Sequence, residues 1–417
     1  MNAFQDQKTI KNQRVFDRIS TRICAAALVL VLLLAGTGFA QRASKIIIGG
    51  IASTTAWLPG DAATPLSSGG TYPTLNNRFI LLFDFEIDEA LSAFASLESY
   101  QGNSPVFYAI GLNWRLSKSP DLLLRAGKFP APFGNFLPRR YDSENALIGR
   151  PLAYFYQHNL SATVVPESYD ELLQTRGSGS GNGYSNTQQN GEGMRFFGRE
   201  AYISGLQLLG QMNRLRYGIA VTNGAFSTSA NTNHSDRFNI AGHVQYMPML
   251  GLQIGASFSS GAYLETDEAS YQTGYSYKKT EDYRQTLVGA DLSYSAGHLE
   301  LWGEFLRNSY GSPYLIDKLG TNSWSAEAKY KINARIYLAG RWSTLLFDNV
   351  PDENDVDSDG ATRESWDYDV SQLELGFGYR IHRNGYAKLT HRLNRTHDAP
   401  NGDPADDVTA LQLVVFF

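Results

Sequence analysis

Leu215-Arg216-Tyr217-Gly218-Ile219-Ala220-Val221-Thr222 alternates without a break, with large apolar residues at the odd positions and Arg, Gly, Ala and Thr at the even ones. Successive side chains of an extended chain point to opposite faces, so this stretch is a strand with one apolar face. One such run is weak evidence, but it recurs. Phe238, Ile240, Val244 and Tyr246 oppose Asn239, His243 and Gln245; Leu373, Leu375, Phe377 and Tyr379 oppose Gln372, Glu374 and Arg380. Upstream, Val106, Tyr108, Ile110, Leu112 and Trp114 oppose Phe107, Ala109, Gly111, Asn113 and Arg115. About a dozen repetitions make this an all-β chain.

The distribution of charge then decides between water and lipid. The apolar face carries essentially no formal charge, with His391 its one ionisable exception. The opposite face carries Asp84, Glu86, Arg115, Asp291, Glu300, Glu304, Glu327, Lys329, Arg341, Lys388 and Arg392. A Lys or Arg facing lipid at mid-bilayer costs roughly 2–4 kcal/mol, whereas a soluble sandwich tolerates charges near its rims. The segregation points to lipid outside and water inside.

Composition agrees. The 417 residues are 12% aromatic and only 18% charged, with 39 Gly, 24 Tyr and 22 Phe, and the mean hydropathy is −0.29. A helical membrane protein of this size would be strongly hydropathic, and after Ala40 no apolar run is long enough for a membrane-spanning helix. About sixteen strands can be counted, near 44–57, 77–87, 90–100, 105–116, 121–129, 198–209, 213–223, 236–246, 251–260, 284–295, 298–308, 321–331, 335–345, 369–381, 385–395 and 406–417. Short connections such as Ser117 to Asp121, Met247 to Leu250 and His382 to Asn384 alternate with loops of ten to about seventy residues. Transmembrane antiparallel barrels show this pattern, with short periplasmic turns and long external loops. Strands running toward the short-turn end finish on an outward aromatic, Phe85, Trp114, Tyr246, Tyr294, Tyr330, Tyr379 and Phe417, and only the strand near 198–209 breaks the pattern. Aromatic rings favour the headgroup boundary, so these would form a girdle.

The first forty residues read as a secretory leader. Lys8, Lys11, Arg14, Arg18 and Arg22 precede the apolar run Ala25 to Ala35, and Gly38-Phe39-Ala40 offers small residues at a cleavage site. An uncleaved inner-membrane anchor is the alternative. The sole cysteine, Cys24, lies in this leader, so the domain from 41 to 417 would have neither disulfides nor thiol chemistry. Removing the leader, with five basic and two acidic residues, takes the net charge from −5 to about −8. An acidic exported chain with no basic, aromatic-laced segment is not a nucleic-acid binder.

At this point the chain resembles a sixteen-stranded bacterial outer-membrane porin, and more narrowly the phosphate-selective porin O and P family. The segments that carry the likeness are Arg125-Ala126-Gly127-Lys128-Phe129-Pro130-Ala131-Pro132-Phe133-Gly134, Gly289-Ala290-Asp291-Leu292 with Leu299-Glu300-Leu301-Trp302-Gly303-Glu304, Tyr337-Leu338-Ala339-Gly340-Arg341 and Ala410-Leu411-Gln412-Leu413. The resemblance implies a Gram-negative outer-membrane barrel, a homotrimer, and a third loop folded inward to narrow the pore. Phe417 closing an alternating strand is similar to the signal read by the barrel assembly machinery. Phosphate selectivity would call for a dense ladder of arginines, and here acids are interleaved with the bases.

The long connection 130–197 follows the fifth strand. Its stiff Pro130 to Gly134 exit, the bases Arg139, Arg140 and Arg150 beside Asp142 and Glu144, and apolar Leu147 to Phe155 suggest that 130–175 folds into the lumen. Gly177 to Gly193 would be an external tip; a wholly external loop is the alternative. Lys128, Arg115, Arg125, Arg216, Arg341, Arg380, Lys388 and Arg392, with Asp291, Glu300, Glu304, Glu327 and Glu374, are the expected pore residues, either setting a transverse field or simply solvating the lumen. In a late loop, Asp355, Asp357 and Asp359 with Gly360 match the first half of a calcium-binding loop, although position twelve is Trp366 rather than Glu. Calcium there, or an acidic solvated loop without it, are the two readings. His234-Ser235-Asp236 is adjacent in sequence, which does not make a catalytic triad, and His243 faces the lumen alone.

The leading expectation is passive diffusion of small hydrophilic solutes or inorganic ions, anions such as phosphate among them. A barrel enzyme of lipase or protease type would need a polar triad at the rim; an adhesin or structural barrel would be plugged. Conductance across a lipid bilayer separates the first from the others.

Overall fold

The computed structural model describes residues 45–67, 71–179, 193–228, 237–265, 270–273, 276–400 and 402–417. The leader with Cys24, the His234-Ser235-Asp236 triplet and most of the Gly177 to Gly193 tip lie outside them.

Sixteen antiparallel strands close into one barrel. They are β1 (Lys45–Pro59), β2 (Thr74–Glu86), β3 (Leu91–Tyr100), β4 (Val106–Lys118), β5 (Asp121–Pro130), β6 (Tyr202–Met212), β7 (Leu215–Thr222) and β8 (Asn239–Met249). The second half comprises β9 (Leu252–Ala262), β10 (Arg284–Ala296), β11 (Leu299–Tyr310), β12 (Leu319–Lys331), β13 (Ile336–Phe347), β14 (Val370–His382), β15 (Gly385–Thr396) and β16 (Val408–Phe416). Each window read from the alternation overlaps one of these strands. Closure leaves no strand edge without backbone partners, the condition for crossing lipid with a sheet.

The barrel closes between β1 and β16, in register from Ile51 opposite Phe416 to Pro59 opposite Val408. Gly50 and Phe417 exchange backbone hydrogen bonds of 3.0 Å in both directions. The Phe417 ring lies over Gly50, where a Cβ would collide with it. Leu112, Trp114, Ile219, Leu375, Leu389, Leu411 and Leu413 are all exposed on the outside. Such a surface suits lipid, and at the short-turn end Trp114, Tyr246, Tyr330 and Phe417 project outward among the aromatics of the expected girdle.

The start of β4 differs from the alternation: Phe107 falls on the outward Leu97 face and Val106 on the inward Glu98 face. A bulge pairs Ser96 with Ala109 but Leu97 with Phe107, skipping a residue of β4. Tyr108 is thereby turned inward, its ring 5.4 Å from that of Tyr202 and 5.9 Å from Lys128 Nζ. Strict period two cannot anticipate a bulge.

The apolar core sits inside the barrel. Phe129, Phe133, Phe136, Leu152, Tyr154, Phe196 and Phe197, from the β5–β6 connection and its start, pack with Phe226, Leu306, Phe347 and Trp366. Phe133 meets Phe197 and Phe226 edge-on at 5.4 and 5.8 Å, and Tyr154 stacks on Phe197 at 4.7 Å. The inserted connection thus carries its own core and uses the upper wall as the other half.

Candidate functional site

The β5–β6 connection is attached to inward-facing wall residues at successive points. Gly134 adopts φ +61°, and a Cβ there would meet Glu304 and the Tyr154 hydroxyl. This conformation is open to glycine and strained for other residues. It lets Gly134 N donate to Ser257 Oγ at 3.0 Å and Asn135 N donate to Glu304 Oε1 at 3.0 Å. Tyr154 Oη donates to the same carboxylate oxygen at 2.8 Å. Asn135 Nδ2 reaches the Leu292 and Gly303 carbonyl oxygens at 2.9 and 3.1 Å. The segment therefore replaces the water that these wall groups would otherwise bind.

Further along, charges of the wall seat the loop. Arg341, with a side chain 1% exposed, pairs with Glu327 at 2.7 Å and with Glu374 at 3.4 Å. It also donates to the Gly149 carbonyl oxygen and to Asn145 Oδ1, each at 2.8 Å. Glu374 accepts from Gly149 N at 2.8 Å, and Arg139 Nη1 donates to Glu327 Oε1 at 2.8 Å. Lys388 Nζ donates to the carbonyl oxygens of Asn145, at 2.7 Å, and of Asp142. Leu147 is buried beside Tyr337 and Ala339. The wall residues Glu304, Glu327, Glu374, Arg341 and Lys388 are all buried beneath the loop. Their charges are spent on one another and on backbone, so they present no bare field to a solute.

Water-accessible space lies on the other side of the loop. A cavity of about 740 Å³ runs between it and the β1–β4 and β15–β16 wall. Arg78, Arg140, Arg150, Arg195 and Arg392 line it against only two carboxylates, Glu98 and Asp142. Arg78 is salt-bridged to Glu98 and lies 3.4 Å from Asp142, while Ser53 donates to Asp142. Arg140 donates to the Leu137 carbonyl oxygen at 2.8 Å and to the Tyr141 and Tyr202 hydroxyls. The Arg392 guanidinium sits 4.6 Å from the Trp57 ring centroid and 6.0 Å from that of Phe155, and its Nε lies 3.9 Å from Glu374 Oε1. Tyr100 and Tyr108 complete the aromatic part of the lining.

The remaining expected residues, Lys128 at the loop end of β5 apart, line the half of the lumen nearer the short turns. Arg115 is 3.5 Å from Asp121, both well exposed. Arg125 donates to Asn113 Oδ1 at 2.8 Å and covers the Phe94 ring at 5.0 Å. Arg216 donates to Gln211 Oε1 at 3.1 Å, and Arg380 lies over Tyr386 at 5.6 Å. Lys128 donates to the Phe107 carbonyl oxygen at 3.3 Å. Glu300 pairs with Lys329 at 3.4 Å and with Lys331. His243 is not alone in the lumen: its Nε2 is 2.9 Å from Asp291 Oδ2.

The sequence reading missed Arg78, Glu98, Arg195 and the aromatic lining. Glu98 and Arg78 do fall on the inward side of the alternation, as diagonal neighbours on β3 and β2, and their opposite charges were the signal available. Nothing local marks Arg195.

The β13–β14 connection meets the inserted segment above this cavity. Arg176 Nη2 donates to Asp357 Oδ2 at 2.9 Å and pairs with Glu364. The carboxylates of Asp355, Asp357 and Asp359 lie within 4.8 Å of one another, and Asp355 Oδ1 accepts from Gly360 N at 2.9 Å, as a calcium loop begins. The set fits the ion poorly. Asp357 already has Arg176, and Trp366 at position twelve is buried and donates to the Gly320 carbonyl oxygen at 2.8 Å. Close by, burial pushes the Asp367 carboxyl up to about 6, despite donors from the backbone of Gly177, Tyr368 and Asn159. Burial pulls His158 down to about 3; its ring contacts those of Tyr310, Trp366 and Phe196.

No family model and no curated protein matches the chain. Solved structures do. An anion-selective porin from Comamonas acidovorans aligns with TM-score 0.56 and 12% identity over 90% of this chain and 100% of its own. A loop L8 deletion form of OmpT, an outer membrane protein of Vibrio cholerae, gives 0.55 and 10% over 90% and 100%. The outer membrane channel DcaP of Acinetobacter baumannii gives 0.54 and 11% over 90% and 98%. At these identities the likeness is one of fold, and in this chain that fold is a closed barrel of sixteen strands.

Proposed function

We propose that the protein is a porin, a non-enzymatic channel through which small hydrophilic solutes diffuse across the outer membrane, with a preference for anions. The observation that carries the preference is the cavity lining, five guanidiniums against two carboxylates, with one further carboxylate, Glu374, behind Arg392. A barrel of sixteen strands is wide enough for an aqueous channel, so passage is governed by what occupies the lumen, and fixed charge at a narrow point sorts ions by sign. The solved anion-selective porin has the same architecture, which fits this reading. Inorganic phosphate, the solute suggested by the resemblance to the porin O and P family, is one anion such a site would admit. Small outward residues on β1 and β3, including Gly50, Ala52, Ala93 and Ala95, are the face on which a trimer would form, and Phe417 is the residue the assembly machinery would read.

The test is the reversal potential of the purified protein in a planar bilayer under a potassium chloride gradient. An anion-selective potential that collapses in an Arg150→Ala, Arg195→Ala double variant is the expected result. A second reading has its own observation: the inserted segment builds an aromatic core within the lumen, as a plugged structural barrel would. Absence of any conductance would favour that reading.

A further inference from the structure

We propose that the 740 Å³ cavity is a binding subsite for organic anions with a planar apolar body, aromatic carboxylates being the simplest class. This rests on the reading of the barrel as an anion-preferring channel and adds to it the kind of anion.

Three observations lead there. The first is size: ligand pockets for small organic molecules span about 300–1,000 Å³, and about 740 Å³ falls inside that range, far beyond what one inorganic ion needs. The second is the mixture of groups. Trp57, Tyr100, Tyr108 and Phe155 share the lining with the arginines. For a bare inorganic ion, ring faces would displace hydrating groups and return nothing. A planar organic body stacks on them, while a guanidinium fork takes the carboxylate through two parallel hydrogen bonds. The third is order. Arg392 lies against both Trp57 and Phe155, and Tyr108 is brought inward only by the bulge in β4. The rings are thus held at the cavity, with Tyr100 47% exposed to whatever enters.

The experiment uses the full-length protein in planar bilayers, with benzoate, cyclohexanecarboxylate, acetate and inorganic phosphate each added to chloride current. All four are anions, and cyclohexanecarboxylate matches benzoate in charge and bulk but not in planarity. Benzoate should interrupt the current at concentrations at least tenfold lower than acetate or phosphate. It should also act more strongly than cyclohexanecarboxylate, by the roughly two- to tenfold that one stacked ring contributes. Trp57→Leu should shrink the gap between benzoate and cyclohexanecarboxylate, and Tyr100→Leu serves if that variant fails to fold. Equal action of benzoate and acetate, or tighter block by phosphate, would overturn the proposal while leaving the channel anion-selective. A channel that does not conduct, or that favours cations, would instead bring down the reading beneath it.

Discussion

The guanidinium of Arg341, on the inner wall of β13, donates a 2.8 Å hydrogen bond to the carbonyl oxygen of Gly149, in the middle of the inserted loop. Gly149 N donates in turn to Glu374, the carboxylate that Arg341 also faces. The loop is therefore held through its backbone by a charged cluster. A side chain at residue 149 would have to displace the Glu374 carboxylate, which a Cβ there would meet. Arg341→Met should leave Glu327 and Glu374 short of their shared partner, at a cost of about 3–5 kcal/mol for a broken buried pair. The β-ladder itself is untouched, so the barrel should assemble with the loop released. Single-channel conductance should rise, and removal of residues 136–172 should raise it severalfold. Wild-type conductance in a correctly folded deletion variant would place the constriction elsewhere.

Arg139 and Arg140 are neighbours with different duties. Arg139 is committed to Glu327 and covers the Trp302 ring at 4.0 Å, whereas Arg140 lines the cavity. Arg140→Ala should move the reversal potential toward cations with little change in conductance. Arg139→Ala should leave the potential nearly unchanged and increase cleavage of the loop by an added protease. A larger potential shift from Arg139→Ala than from Arg140→Ala would contradict the assignment.

Two buried groups of the upper lumen give opposite pH dependences. His158, held near 3 against 6.5 in the unfolded chain, contributes stability that is present above about 6.5 and lost as pH falls toward 3. The slope approaches about 1.4 kcal/mol per pH unit. Asp367, held near 6 against 3.8, favours the folded loop when protonated. Its contribution grows as pH falls from 6 to 3.8 and is lost as pH rises through that window. In the wild type the slopes offset each other in part. Asp367→Asn should make the loop labile to protease below about pH 6, and His158→Phe should make it more resistant there. Identical pH profiles in the two variants would show that neither group titrates as its burial implies.

The acidic turn of the β13–β14 connection should bind calcium weakly at most, because Arg176 occupies Asp357 and Trp366 provides no carboxylate. Titration calorimetry of the wild type and of Asp357→Ala would check this, and submicromolar affinity lost in the variant would show the motif to be functional.

Period-two alternation made the wall legible because burial repeats with every strand: Leu373 to Tyr379 on β14 could be oriented from local sequence alone. What the charges do could not. Glu304 and Glu374 face inward as read, yet whether an inward carboxylate meets solute or loop depends on contacts at separations of 169 and 225 residues. Tyr108 was misoriented for a related reason, since its bulge is set by the register of β3 against β4. The partner of His243 is Asp291, two strands away, which no local pattern marks.

Those separations also order events in time. Asn135 needs Glu304, Arg139 needs Glu327, Gly149 needs Glu374, and Asn145 needs Lys388. Each partner stands on β11 to β15, far from the loop along the chain. The connection has nowhere to dock until the far wall exists, and contacts so remote in sequence form slowly. A barrel caught just after its ends meet would be a wide, leaky ring, and the aperture would be set only afterwards, as the segment zips onto a finished wall. If the barrel is a channel, its aperture is then a property of the docked segment rather than of the strand count.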